Sequence, residues 1–161
     1  MRVRRARPED YGAVGEVTVA AYEEFLTGAE DSYRDRLLDA ESRGREAELW
    51  VVTPDDGDAI LGSVTICPEG SPWREVAEPG EGEFRMLAVS PDARRQGVGE
   101  ALVDLVLGHF REQGAHAVVM SSLNEMAGAH RIYERHGFER VPERDWQPLP
   151  DVSLIAFRKE L

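Results

Sequence analysis

The sequence predicts a single α/β domain over residues 1–161, built on a mixed β-sheet, and three observations carry that expectation. Short β-patterned runs alternate along the chain with longer stretches of helical period. One pair of runs flanks PDDGD at residues 54–58, a tight-turn signal of the kind a hairpin needs. A strand pattern at residues 83–89 leads through a glycine-containing loop straight into an amphipathic helix, the general plan of an anion site.

Each element has a local cause. Residues 2–6 (RVRRA) read as an opening strand. Pro8 with Glu9 and Asp10 reads as a helical first turn, because proline lacks a donor that a first turn leaves unused and the acids face the positive end of the dipole. Ala13, Val17, Ala20, Ala21 and Phe25 carry that helix's apolar stripe. A more polar helix fits residues 32–43, with Gly44 as its stop. Residues 49–53 (LWVVT) and 59–68 (AILGSVTICP) form the hairpin, and residues 69–82, rich in Gly, Pro and Glu, form a surface loop. EFRMLAV (83–89) is a strand. Val98, Ala101, Leu102, Leu105, Val106 and Phe110 mark one face of the next helix, which Gly114 ends. Residues 116–122 form a strand, residues 128–137 a helix closed by Gly137, and residues 138–141 and 152–160 the last strands.

Composition narrows the function classes. A chain of 161 residues buries roughly 70% of its unfolded surface. With 42% hydrophobic and 31% charged residues it is globular rather than disordered. No apolar run approaches the ~20 residues of a membrane span, and MRVRRARPEDY has charge but no apolar segment of a secretory signal. The single cysteine, Cys67, forms no internal disulfide, which fits the cytoplasm. A net charge of −12 argues against nucleic-acid binding, which rests on basic residues. No metal is expected: His130 and His136 fall roughly on opposite helix faces, and His109 and His116 show no ligand spacing. Cys67 reads as an inert strand-end thiol.

The chemistry concentrates in SPDARRQGVGEAL (90–102). Orphan N–H groups and the dipole at a helix start attract an anion, and Gly97 and Gly99 let the backbone approach it closely. No G-x-x-x-x-G-K-[ST] occurs, which excludes a P-loop. A dinucleotide fingerprint fits poorly, because its third glycine position is Leu102 and the next strand ends in Ser121 and Ser122 where a ribose-binding acid belongs. A pyrophosphate cradle and a loop with two solvated arginines are the readings left.

These residues resemble the GNAT N-acetyltransferase superfamily. Arg94-Arg95-Gln96-Gly97-Val98-Gly99 fills its acetyl-CoA signature, R/Q-x-x-G-x-G/A, and AHRIYERHGF (129–138) is similar to its second signature. The element order over about residues 2–160 also matches, and ERVPERDW (139–146) resembles one bacterial subgroup. The resemblance implies a mostly antiparallel sheet of about six to seven strands with about four helices, splayed between its two central strands. It implies that the N–H groups of Gln96, Gly97, Val98, Gly99 and Glu100 hold the CoA pyrophosphate beside Arg94 and Arg95. Leu87 and Val89, with Ala88 between them, would pair through their main chain with the pantetheine arm, acting as a partial strand. An N–H near Leu87 would polarise the thioester carbonyl.

Two proton carriers follow. An alkylamine of pKa ~10.4 is only about 0.04% unprotonated at pH 7, so a base is needed. Glu83 occupies the position of the base in histone-acetylating relatives, and strand alternation puts it on one face with Arg85, Leu87 and Val89. A water chain is the family's alternative. Tyr133 matches the family's general-acid tyrosine, the structural alternative being a core residue beside Ile132. Where relatives carry an Asn on the CoA arm this chain has Met126, which leaves Asn124, or Ser121 and Ser122, for that contact. Trp73, Trp146, Tyr22, Phe25 and Tyr33 are candidates for packing or for lining an acceptor pocket. Glu75, Glu78, Glu81 and Glu83 read either as a solvated loop or as an acidic entrance favouring a cationic amine.

The expectation is therefore a cytoplasmic acetyl-CoA-dependent N-acetyltransferase, acting on a small-molecule or peptide amine by direct attack. A homodimer stays open, no nucleic acid or membrane is involved, and the alternative is a non-catalytic acyl-CoA-binding module.

Overall fold

The computed structural model describes residues 1–26 and 31–161. Among them are eight strands and five α-helices: β1 (Arg2–Arg5), α1 (Tyr11–Tyr22), α2 (Asp31–Leu38), α3 (Ala40–Glu46), β2 (Glu48–Thr53), β3 (Gly62–Cys67), β4 (Glu81–Val89), α4 (Val98–Glu112), β5 (Ala117–Leu123), α5 (Ala127–Arg135), β6 (Glu139–Arg140), β7 (Trp146–Leu149) and β8 (Val152–Glu160). The strands form one sheet in the order β1-β2-β3-β4-β5-β8-β6, with β7 also paired to β8. Only β4 and β5 run parallel; the hairpin β2–β3 and every other pair are antiparallel. No described helix is long and apolar enough to cross a membrane.

The sheet is covered on both faces. On one, α4 and α5 bury Leu102, Val106, Phe110 and Tyr133 against Phe84 and Phe157. On the other, α1 and α2 contribute Tyr22, Tyr33 and Leu37 to a cluster with Met86, Ala88 and Leu154. Each large apolar side chain so buried contributes roughly 1.5–3 kcal/mol, which fixes the two layers on the sheet.

Several expected elements shift. The helix expected over residues 32–43 is two helices, broken at Asp39, whose carboxylate caps the Ser42 N–H at 3.1 Å and restarts the chain as α3. That second helix runs on through Gly44. The buried stripe of α1 is Val14, Thr18, Ala21 and Tyr22, while Ala13 and Ala20 are exposed. The phase differs because residues 8–10 form a separate 3₁₀ turn, in which Asp10 is buried to meet Arg4 at 2.7 Å.

The decisive departure is in β4. Gly82 and Phe84 face α4; so do Leu87 and Val89, five residues later. Met86 and Ala88 lie in the opposite cluster. The phase slips because Met86 has φ 54 and the register with β3 shifts between Ser63 and Thr65, so one extra residue is accommodated as a bulge. The expected common face of Glu83, Arg85, Leu87 and Val89 is therefore not formed: Glu83 and Arg85 lie opposite Leu87 and Val89. Pairing of β4 with β5 also stops at Phe84 opposite Met120, so the two central strands part beyond it.

Glu81 anchors the closed end of that fork. Its carboxylate accepts from Arg144 at 2.6 Å, from Arg158 of β8 at 2.8 Å and from the Glu78 N–H at 2.9 Å. Burial opposes its ionisation, but the Arg144 and Arg158 hydrogen bonds outweigh it and hold the pKa at about 2. A depressed carboxylate stabilises the fold above its unfolded pKa near 4.5 and loses that contribution as pH falls toward about 2. Glu81→Gln is expected to cost about 3 kcal/mol in urea unfolding at pH 7, and to flatten the acid loss of stability between those two pH values. An unchanged midpoint at pH 7 would mean that the two arginines are dispensable to the fork.

Candidate active site

A cavity of about 650 Å³ opens where β4 and β5 part. Residues 87–89 form one wall, the start of α4 its floor, and Ala129 and Ile132 of α5 another wall, with Ala21 and Phe25 closing it from the α1 side. On the β5 side of β4, residues 85–89 have no strand partner. Tyr22 reaches the fork and donates its hydroxyl to the Leu87 carbonyl at 3.4 Å.

The loop into α4 is built to present N–H groups. After a 3₁₀ turn at Pro91–Ala93, Arg95 has φ 63 and Gly97 has φ 82, both left-handed, and α4 starts at Val98. Such alternation turns successive N–H groups toward one concavity. Among the described residues, none of the N–H groups of residues 94–100 has an acceptor; the first bond of the helix is from the Ala101 N–H to the Gly97 carbonyl at 3.0 Å. A Cβ on Gly99 would stand 2.9 Å from Ile132 Cδ1, so this position accepts no side chain without disturbing the cavity wall. A diphosphate-sized anion fits this donor set.

Charge follows the same plan. Arg94 pairs with Glu24 at 2.9 Å, Arg135 pairs with Glu100, and Arg95 has no partner among the described residues. Arg131 adds a further cation to the lining. The chain as a whole is strongly acidic, yet four arginines outnumber Glu24 and Glu100 in this lining.

The sequence-based candidates divide clearly. Leu87, Ala88, Val89, Arg94 and Arg95 line the cavity, as do Gly97, Val98, Gly99 and Glu100. The Gln96 side chain turns back to the Asp92 carbonyl at 3.5 Å, leaving only its N–H to the loop. Asn124 is exposed in the turn after β5 and does not line the cavity, whereas Met126 does. Ser121 accepts from Trp146 Nε1 at 3.0 Å and Ser122 contacts His130 at 3.2 Å, so both hydroxyls are already engaged.

Tyr133 lies at the apex of the fork rather than in the open cavity. Its ring packs edge-on to Phe84 and Phe138 at centroid distances of 6.0 Å, and the residue is 3% exposed. Its hydroxyl makes no hydrogen bond among the described residues, and burial pushes its pKa up. Glu83 is wholly buried where β4 and β5 are still paired. Its Oε1 accepts from the N–H groups of Glu75, Val76 and Ala77 at 3.0, 2.8 and 3.0 Å, while Oε2 is buried without a partner. Burial raises its pKa against those three bonds.

The acidic entrance does not form as expected. Glu81 and Glu78 are matched by Arg144, and Glu83 is enclosed by backbone donors. The five aromatic candidates do come together: Tyr22, Phe25, Tyr33, Trp73 and Trp146 belong to one cluster on the α1 face of the fork. Arg131 and Arg135 were missed, although their spacing with Gly128 and Ile132 marks one face of α5, the face turned away from Tyr133.

Comparison with known proteins agrees with this geometry. The chain is 35% identical over 119 residues to a mycothiol acetyltransferase of Cellulomonas flavigena, covering 66% of this chain and 32% of that protein. It is 34% identical over 122 residues to rat N-acetyltransferase 8, covering 70% and 50%. The chain thus spans between a third and a half of the length of these curated relatives. Among solved structures, a GNAT-family acetyltransferase of Staphylococcus aureus superposes with a TM-score of 0.77 at 16% identity, over 99% of this chain and 98% of that one. The PaiA N-acetyltransferase of Thermoplasma acidophilum, solved in complex with coenzyme A, gives 0.75 at 13% identity over 99% and 98%. The model of the acetyltransferase (GNAT) family matches residues 15–138, strands β2 to β5 and both signatures, and the chain belongs to that family.

Proposed function

We propose that this protein transfers the acetyl group of acetyl-CoA to a primary amine by direct attack. The observation that carries the proposal is the run of unpaired N–H groups over residues 94–100, placed beside strand edge 85–89 at the fork. A pyrophosphate on that loop, steadied by Arg95 and Arg131, directs a pantetheine arm along residues 87–89, where it completes the strand edge. An unpaired N–H on that edge polarises the thioester carbonyl.

The two faces of the fork then divide the two proton transfers. Tyr133, protonated throughout the working range, donates to the departing thiolate at the apex. The amine comes from the aromatic face. Glu83 is four residues before Leu87, about 10–13 Å along the strand, too far for direct contact with the reacting atoms. Its unpartnered Oε2 is the terminal acceptor of a water relay, and its raised pKa suits a base.

Gly97→Glu places a side chain and a negative charge in the cradle, at a φ of 82 that only glycine adopts freely. Acetyl-CoA at a hundredfold excess over Kd is expected to stabilise the wild type by about 2.7 kcal/mol and the variant by much less, read as a thermal shift with the circular dichroism spectrum unchanged. Equal shifts would remove the cradle.

The proton carriers separate in rate against pH. Tyr133→Phe is expected to lower kcat on the order of 10²–10⁴ with acetyl-CoA affinity kept. Glu83→Gln is expected to lose most activity near neutrality and to recover as free amine accumulates at high pH. A full kcat in Tyr133→Phe makes that tyrosine a core residue; an unshifted profile in Glu83→Gln makes water the sole base.

A further inference from the structure

Arg85 is the buried group that the transfer chemistry leaves unused. It is 5% exposed and follows Glu83 on the aromatic face of β4, immediately before the bulge. One guanidinium nitrogen donates to the Trp73 carbonyl at 3.3 Å; the other, NH2, is buried and has no partner among the described residues. The guanidinium is clamped between two indoles, 5.8 Å from the Trp73 ring and 5.3 Å from that of Trp146. A planar, pre-oriented fork of this kind matches a carboxylate.

The surroundings offer it no carboxylate hydrogen bond among the described residues. Arg43, 1% exposed, is spent on the Arg36 carbonyl at 2.7 Å, and the charge of Arg85 is felt at it. Burial followed by that repulsion helps pull Arg43 down to about 10. The buried acid on this face, Glu83, has its own ionisation opposed by burial. Glu83 Oε1 is taken by three backbone donors, and no hydrogen bond joins Glu83 to Arg85 among the described residues. A buried guanidinium nitrogen left without an acceptor is costly unless a ligand completes it.

The location says which ligand. Met86 and Ala88 continue the same face, and Ala88 lines the cavity at the fork. We propose that the acceptor is an amino acid, whose amine attacks at the fork while its carboxylate docks on Arg85 NH2. The cover to be parted is the pair of half-buried indoles, each tethered by one hydrogen bond: Trp73 Nε1 to Glu46 at 3.1 Å and Trp146 Nε1 to Ser121 at 3.0 Å. This inference rests on the acetyl-transfer reading, and it replaces the cationic acceptor suggested by the acidic loop with one whose anionic group is the recognised handle.

The test is thiol release from acetyl-CoA with the L-amino acids, each compared with its own amide. An amide has the more readily deprotonated amine, so chemistry alone favours it. The expected result is at least one amino acid with a kcat/KM on the order of tenfold or more above its amide. Arg85→Gln should remove that preference mainly through KM, with the amide's rate retained, and Arg85→Lys should restore only part of it. The N-acetylated acid should shift the tryptophan emission of the wild type but not of Arg85→Gln. Amides equal to or better than acids, or an Arg85→Gln variant that loses both in proportion, would overturn the carboxylate site while leaving acetyl transfer intact. Failure of the wild type to bind acetyl-CoA in calorimetry would remove the transfer reading, and this inference with it.

Discussion

One residue out of phase in the central strand, Met86, separates the two halves of the fold and creates the space between them. Its left-handed backbone costs of order 1–3 kcal/mol for a residue that is not glycine, and the surrounding layers hold it there. Behind it, β4 and β5 are hydrogen-bonded neighbours, and their closed end is clamped by Glu81 between Arg144 and Arg158. Ahead of it, the same strand turns the opposite side chains to each layer and offers a free edge. A regular strand here would have continued its parallel ladder and closed the cavity.

The start of α4 makes that edge useful. A free edge alone is an aggregation hazard. Beside it, in the proposed reading, the donors of residues 94–100 and the arginines of α5 hold an anion and so set the direction of an attached arm. The fork also sorts the chemistry by face. Phe84, Tyr133 and Phe138 pack the α4 side into an apolar apex, while the α1 side keeps Glu83, Arg85 and the indoles. An overall charge of −12 does not prevent an anion site, because the arginines concerned line the cavity itself and charge farther off is screened.

Much of this was legible because it depends on local patterns. The strand, loop and helix over residues 83–112, the glycines at 97 and 99, and the hairpin around PDDGD are set by short-range rules, and all stand where those rules put them. What was not legible needed tertiary context. Nothing in EFRMLAV marks Met86 as a bulge, since bulges with a left-handed residue usually announce themselves through Gly or Asn. Simple alternation therefore put Glu83 on the wrong face. Asp39 looked like one more polar residue of a helix until its cap to Ser42 divided that helix in two. Asn124 stood in for the relatives' Asn, whose position Met126 holds, yet the turn after β5 leaves Asn124 exposed and gives the wall to Met126. The acids of the loop before β4 read as surface charge, because their partners Arg144 and Arg158 are more than sixty residues away.

The central claim is that the fork and the loop before α4 form one binding surface for acetyl-CoA. Amide hydrogen exchange with and without saturating coenzyme A tests it directly, since both segments carry N–H groups without acceptors in the described structure. The account predicts slowed exchange in residues 85–89 and 94–100 together, with the outer strands β1 and β2 unaffected. Protection confined to another surface, or none in either segment at saturation, would contradict it.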